Sequence, residues 1–141
     1  MAKHFGIDFG TTNSAVVVYD DQRKLFTRIG EKGPIPFPSV VAIDNLTQRV
    51  SAGQRVKEQI ISLREGGLHL VIESVKTMLD SDQLWATPAR TWLAEDIASE
   101  LFRALAKRAE EDKHPPLREA VVAIPIGMNA AKRATLRRAA D

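Results

Sequence analysis

The stretch KHFGIDFGTTNSAVVVYD, residues 3–20, constrains the fold of this chain more than any other. Phe5, Ile7 and Phe9 alternate with Gly6 and Asp8, and a period of two puts one row of side chains on each face of a strand. The following run, SAVVVYD, is rich in β-branched residues, and only the polar turn GTTN separates it from the first. The pair reads as a hairpin whose turn holds a glycine, two threonines and an asparagine.

The rest of the chain extends this start into an α/β pattern. Asp20, Asp21, Gln22 and Arg23 supply a turn before a third strand over residues 24–29. Residues 30–38 (GEKGPIPFP) read as an extended subdomain connector, because proline fixes φ and drives the preceding residue out of the α region. PSVVAID predicts a fourth strand, turning at Asp44 and Asn45. From about Ala52 the period becomes helical, with Val56, Ile60, Ile61 and Leu63 at core-like spacings until Gly66 and Gly67 end it. LVIESVKTML is ambiguous: Val75, Met78 and Leu79 share a helical face, while residues 70–72 suit a strand equally. Thr87, Pro88, Ala89 and Arg90 suit a turn joining two short strands that carry Trp85 and Trp92.

Residues 94–112 form the clearest helix, with Leu93, Ile97, Leu101 and Leu105 as its stripe. Glu95 and Asp96 lie in its first turn, where they suit the helix dipole. His114, Pro115 and Pro116 stop it. EAVVAIP is a continuous apolar run, which predicts a strand buried on both faces and joining the first three. Asn129 caps a final helix, where Ala130, Ala131, Ala134, Ala139 and Ala140 suit close packing.

Composition narrows the class of function. With 44% hydrophobic and 27% charged residues in 141, the chain has ordinary globular usage for one domain. There is no cysteine, which excludes a disulfide scaffold and thiolate catalysis and fits a reducing compartment. No apolar run reaches the ~18–20 residues of a membrane span, so no membrane partner is expected and the cytoplasm is the expected compartment. The net charge of +2 and the pI of about 9.1 invite a nucleic-acid reading. Residues 130–141 alone carry a net +3, however, leaving −1 on residues 1–129. The basicity belongs to the last helix, and no nucleic-acid partner is expected. His4, His69 and His114 are isolated and lack metal-ligand spacing.

The turn between the first two strands is where chemistry concentrates. Gly10 lets the main chain approach a ligand closely, and Thr11 and Thr12 add hydroxyls beside successive backbone N–H groups, a suitable cradle for phosphate oxygens. Asp8 conflicts with that reading alone, since a carboxylate repels polyphosphate. A divalent cation resolves the conflict, because Mg²⁺ prefers one or two carboxylates together with phosphate oxygens. The motif is distinct from GxxxxGK[ST], which is absent. A plain polar turn is the competing reading of the same residues.

G-I-D-F-G-T-T-N-S followed by alternating valines resembles the first phosphate loop of the actin-like ATPase superfamily, and the T-T-N-S form is most similar to the heat-shock-70 (DnaK-like) chaperones. Three further segments agree in order. Residues 38–43 (PSVVAI) resemble that family's T-P-S-V-V-A-F stretch, and residues 73–79 (ESVKTML) resemble the segment carrying its catalytic lysine. Residues 120–125 (AVVAIP), with Lys132 and Arg133 beyond, resemble its A-V-I-T-V-P strand and following helix. Ile126, Gly127 and Met128 stand where the family has an aromatic pair, and the segment between Leu79 and Trp92 is short, so the chain resembles a divergent member.

The resemblance implies an actin-like (ribonuclease H-like) N-terminal lobe, a mixed sheet with flanking helices. Its core subdomain would comprise residues 1–38 and 115–141, and its smaller inserted subdomain residues 39–114. It implies ATP or ADP with Mg²⁺ as cofactors, Gly10, Thr11, Thr12 and Asn13 as phosphate contacts, Asp8 in the Mg²⁺ shell and Lys76 as the catalytic residue. The intact protein would be a chaperone ATPase of the stress response that couples ATP hydrolysis to conformational change. Its partners would be unfolded peptide clients and J-domain and nucleotide-exchange co-chaperones. The 141 residues end before a second phosphate loop or an adenosine segment, so they are expected to bind ATP weakly, to lack turnover and to self-associate through exposed core surface. An actin-like filament protein of the MreB type and a sugar kinase of the same superfamily are the alternatives.

Overall fold

A computed structural model describes residues 3–29, 37–111 and 117–141. The fold is mixed α/β and contains two sheets, a small hairpin and two substantial helices. β1 (Lys3–Phe9) pairs antiparallel with β2 (Asn13–Asp20), placing Phe9 opposite Ser14, and β3 (Leu25–Ile29) continues the sheet beyond β2. The short β4 (Phe37–Pro38) also pairs with β2, at Ser14 and Asn13.

The second sheet has β5 (Val40–Asp44) at its centre, between β6 (Val50–Ala52) and β7 (His69–Glu73), with both pairings antiparallel. Between β6 and β7 lie two short helices, α1 (Gln54–Glu58) and α2 (Ile60–Glu65). After β7 comes a 3-10 turn, Val75–Met78, and then the hairpin of β8 (Leu84–Ala86) and β9 (Thr91–Leu93). The chain continues through α3 (Ala94–Glu111), β10 (Ala120–Ala123) and α4 (Ala130–Ala140). β10 lies parallel to β1, so the later strand does join the first sheet.

Alternation decides what the first sheet buries. Phe5, Ile7 and Phe9 of β1 and Val16 and Val18 of β2 are all buried, whereas Asp8 is exposed. α3 covers this apolar face with Ile97, Ala98, Leu101, Phe102 and Leu105, and the Phe9 ring stacks on Phe102 at a centroid distance of 4.9 Å. Burying each large side chain of this kind contributes about 1.5–3 kcal/mol. α4 rests on α3, tied by the Ser99 hydroxyl to the Ala139 carbonyl at 2.7 Å and by Arg138 to Glu95 at 3.0 Å. One continuous core therefore links the first sheet, the second sheet and both helices.

Several expectations are corrected. The helical period read from Ala52 is broken into β6, α1 and α2. Gly53, at φ 88, packs so closely on the Phe37 ring that a Cβ would stand 2.7 Å from it. Gln59 separates the helices at φ −106 and resets their phase, so Ile61 points outward at 70% exposure. The ambiguous LVIESVKTML is strand and then 3-10 turn, switched by Ser74 in the left-handed region at φ 56.

Leu93 is not part of the helical stripe. It ends β9, where alternation turns Trp92 inward and leaves Leu93 exposed, and Ala94 is the first buried residue of α3. β10 is not buried on both faces: Val121 is 78% exposed, since no element covers the outer face of this edge strand among the described residues. In α4 the packed face is Thr135, Leu136 and Ala139. The other four alanines are exposed, because a single contact with α3 shelters only one face. The connector at residues 30–36 and the stop at His114, Pro115 and Pro116 lie outside the described residues. No helix among the described residues is long and apolar enough to cross a membrane.

Candidate functional site

The turn between β1 and β2 requires its glycine. A Cβ on Gly10 would stand 1.9 Å from the Asn13 carbonyl oxygen, far inside van der Waals contact, so any side chain there would force the loop open. The Gly10 N–H donates to the Ser14 hydroxyl at 3.3 Å, folding the turn back on the first residues of β2.

Two neighbouring strands of the second sheet then hold this turn at both ends. β4 lies beside Asn13 and Ser14 and leads into Ser39, whose N–H donates to the Thr12 carbonyl at 2.8 Å. The Ser39 and Ser14 hydroxyls share a hydrogen bond of 2.8 Å, and both residues are buried. Ser39 opens directly into β5. β7, the neighbour of β5, ends at Glu73, and the left-handed Ser74 redirects the chain into the 3-10 turn. The buried Val75 anchors that turn and Lys76 reaches out of it. The Lys76 Nζ donates to the Phe9 carbonyl at 2.6 Å, across a sequence separation of 67 residues. A charge-assisted bond of this length is among the stronger hydrogen bonds a protein makes.

The residues singled out from the sequence thus fall around one turn. Gly10 and Thr11 are half-buried in it, Thr12 and Asn13 are exposed on it, and Lys76 arrives at its start. Asp8 sits one residue before Phe9 on the opposite, open face of β1, beside Ala15 and Ala123. Its carboxylate has no hydrogen-bond or ion-pair partner among the described residues. The side chains of Thr11, Thr12 and Asn13 are equally uncommitted there. Uncommitted donors beside a tightly bridged backbone are what a polar ligand needs.

A narrow cleft beside the turn is lined by Thr11, Thr12, Ser39, Lys57, Glu73 and Ser74. Glu73 accepts from Lys57 at 3.1 Å and from Arg64 at 2.8 Å. These bonds, Lys57 first and Arg64 next, hold its carboxyl below the usual carboxylate range. Of these three, Lys57 and Glu73 line the cleft and offset each other in charge, while Arg64 lies behind them. No group of three or more His, Cys, Asp or Glu side chains that could cage a metal occurs among the described residues. Asp8 alone fits a Mg²⁺ held mainly through water and ligand oxygens rather than by the protein.

A second concavity lies elsewhere, an open groove between β6, α1 and α3 lined by Arg49, Arg55, Arg103 and Lys107 and by Glu58 and Glu100 among others. Arg103 there is already paired with Glu100 at 2.6 Å, and the groove carries none of the loop's bridged backbone. Sequence reasoning missed Ser14 and Ser39 as partners. Ser14 closes the GTTNS motif and Ser39 opens a strand, but nothing in their spacing of 25 residues says that they meet.

No family model matches the chain. It is 29% identical over 141 residues to a protein named Chaperone protein DnaK from Mesomycoplasma hyopneumoniae strain J, a match covering 99% of this chain and 22% of the relative. The proteins of the same name from strains 232 and 7448 of that organism match at 29% identity with the same coverage. The chain spans 22% of the length of these curated relatives.

Proposed function

We propose that these residues form the nucleotide-phosphate-binding lobe of a heat-shock-70-type ATPase with an actin-like fold. The observation that carries the reading is Lys76. A lysine chosen for its place in ESVKTML reaches the carbonyl that precedes Gly10, from 67 residues away. The name of the relatives matched at 29% identity supports the same family. In this reading residues 1–38 and 115–141 make the core subdomain and residues 39–114 the insert.

Gly10 lets the main chain approach the β- and γ-phosphate oxygens closely, and Thr11, Thr12 and Asn13 supply the donors that bind them, since the Gly10 N–H is held by Ser14. Asp8 would hold Mg²⁺, directly or through its waters. The cation, when bound, neutralises charge on the phosphates and fixes their geometry. Lys76 places a positive charge at the transferring phosphoryl group and orients the attacking water, because phosphoryl transfer asks chiefly for positioning and electrostatic stabilisation. Its bond to Phe9 keeps the ammonium at the mouth of the turn. In a protein of the relatives' length, hydrolysis would drive a conformational change, with unfolded peptides, J-domain proteins and exchange factors as partners and the cytoplasm as its place.

The test is Lys76→Ala in the full-length protein. ATP affinity is expected to stay within a few-fold, while single-turnover hydrolysis falls by about 10²–10³-fold, the usual cost of one electrostatic stabiliser. Unchanged hydrolysis would take Lys76 out of the site.

A further inference from the structure

Two buried serines stand at the seam between the phosphate turn and the second sheet, and neither has a role in the chemistry proposed above. Ser14 is 2% exposed and Ser39 3%. Burying hydroxyls is costly unless they are hydrogen-bonded, and here each satisfies the other at 2.8 Å. The pair also carries the turn. Gly10 N–H ends on the Ser14 oxygen, and Ser39 holds the other limb of the turn through its own N–H to the Thr12 carbonyl. Gly10 to Ser14 to Ser39 is therefore an unbroken line of hydrogen bonds from the tightest point of the turn to the first residue before β5.

We infer that Ser39 is a positioning residue for the turn, acting through the Ser14 hydroxyl, and that this bridge couples the turn to the second sheet. The inference deepens the nucleotide-binding reading and rests on it for its functional consequence. The geometric part stands alone. With the Ser39 hydroxyl removed, Ser14 keeps the Gly10 bond but loses its anchor in the second sheet. With the Ser14 hydroxyl removed, the Gly10 amide loses its acceptor. In both cases the turn is loosened around Gly10, while the Ser39 N–H still holds the Thr12 carbonyl and the apolar core beneath is untouched.

The experiment measures amide hydrogen exchange in the 141-residue chain for Ser14→Ala, Ser39→Ala and the double variant. Gly10 reports the turn, and Leu101, fully buried in α3, reports global opening. Each single variant is expected to speed Gly10 exchange about tenfold relative to Leu101, which corresponds to about 1.4 kcal/mol. Because both act through one bridge, the double variant should lose little more than either single variant, and interacting residues show such non-additivity. An unchanged Gly10 in Ser39→Ala, acceleration shared equally by Leu101, or additive single effects would each overturn the inference. Should Ser39→Ala fail to fold, Ser39→Cys, with similar volume and a weaker hydrogen bond, carries the same test.

A parallel titration with Mg-ATP separates the two readings. Binding by the parent chain that weakens about tenfold in Ser39→Ala supports the coupling. Binding that Ser39→Ala leaves unchanged contradicts its functional part. A parent chain that fails to bind counts against the nucleotide site, while the exchange data still decide the bridge.

Discussion

Gly10 and Lys76 show the two ways in which single residues of this site were readable. Gly10 is legible from chemistry, since a polar turn with one glycine between two alternating runs needs a close backbone approach, and the 1.9 Å clash of a Cβ with Asn13 gives the reason. Gly10→Ala is expected to destabilise the chain by about 1–3 kcal/mol, the scale of enforced backbone strain, as measured by urea unfolding. Lys76 is not legible from spacing: only resemblance to a known motif raised it above an ordinary surface lysine. Its contact with Phe9 depends on β5, β7 and the left-handed Ser74 all being in place. Ser14 and Ser39 were missed for the same physical reason. A bridge between residues far apart in sequence is written in the tertiary fold, and no local period records it.

Elements were read best where one face of a regular period is buried. β1, β2 and α3 bury the residues their alternation or stripe announces, apart from Leu93 at the junction of β9 and α3. Reading failed where an element changes type within a few residues, as at Gly53, Gln59 and Ser74, because one backbone angle resets the phase of everything after it. Burial was overestimated for β10, whose apolar run is compatible with a covered strand but does not supply the cover. Leu101→Ala, at the centre of α3, is expected to cost about 2–5 kcal/mol in thermal or urea unfolding, the range for a large-to-small change in a packed core.

α4 carries a pH dependence. Its capping residue Asn129 accepts from the Lys132 N–H at 2.8 Å and donates to Asp80 at 3.0 Å, while the Lys132 ammonium lies 3.6 Å from Asp80. The Asn129 bond first, and Lys132 with it, lower the Asp80 carboxyl below its usual range. A depressed carboxyl stabilises the fold above its ordinary pKa, and that contribution is lost as pH falls through the lower folded value. Protection from hydrogen exchange at the N-terminus of α4, relative to the intrinsic rate at each pH, is therefore expected to fall below the ordinary Asp range, and Asp80→Asn should remove the dependence. A pH profile identical in the two proteins would contradict this.

At the scale of the molecule, the second sheet grips the turn from both sides: β5 through Ser39, and β7 through Lys76. Any motion of that sheet moves both ends of the turn, a geometry suited to coupling ligand occupancy to conformation. The outer face of the first sheet carries Val121 at 78% exposure, with the exposed Ile124 and Ile126 just beyond β10. Exposed apolar side chains on and just beyond an edge strand favour association. Sedimentation velocity of the 141-residue chain should show concentration-dependent self-association that Val121→Glu reduces, and a strictly monomeric parent chain would contradict this.

The central claim is that the turn of Gly10, Thr11, Thr12 and Asn13 binds nucleotide phosphate with Mg²⁺ at Asp8. A ¹⁵N amide shift titration of the chain with ATP, run with and without Mg²⁺, tests it most directly. Saturable shifts confined to residues 8–14, 39 and 76, and strongly weakened without Mg²⁺, are the expected result. No shift in that turn at millimolar Mg-ATP, or shifts centred instead on the groove between β6 and α3, would contradict the account.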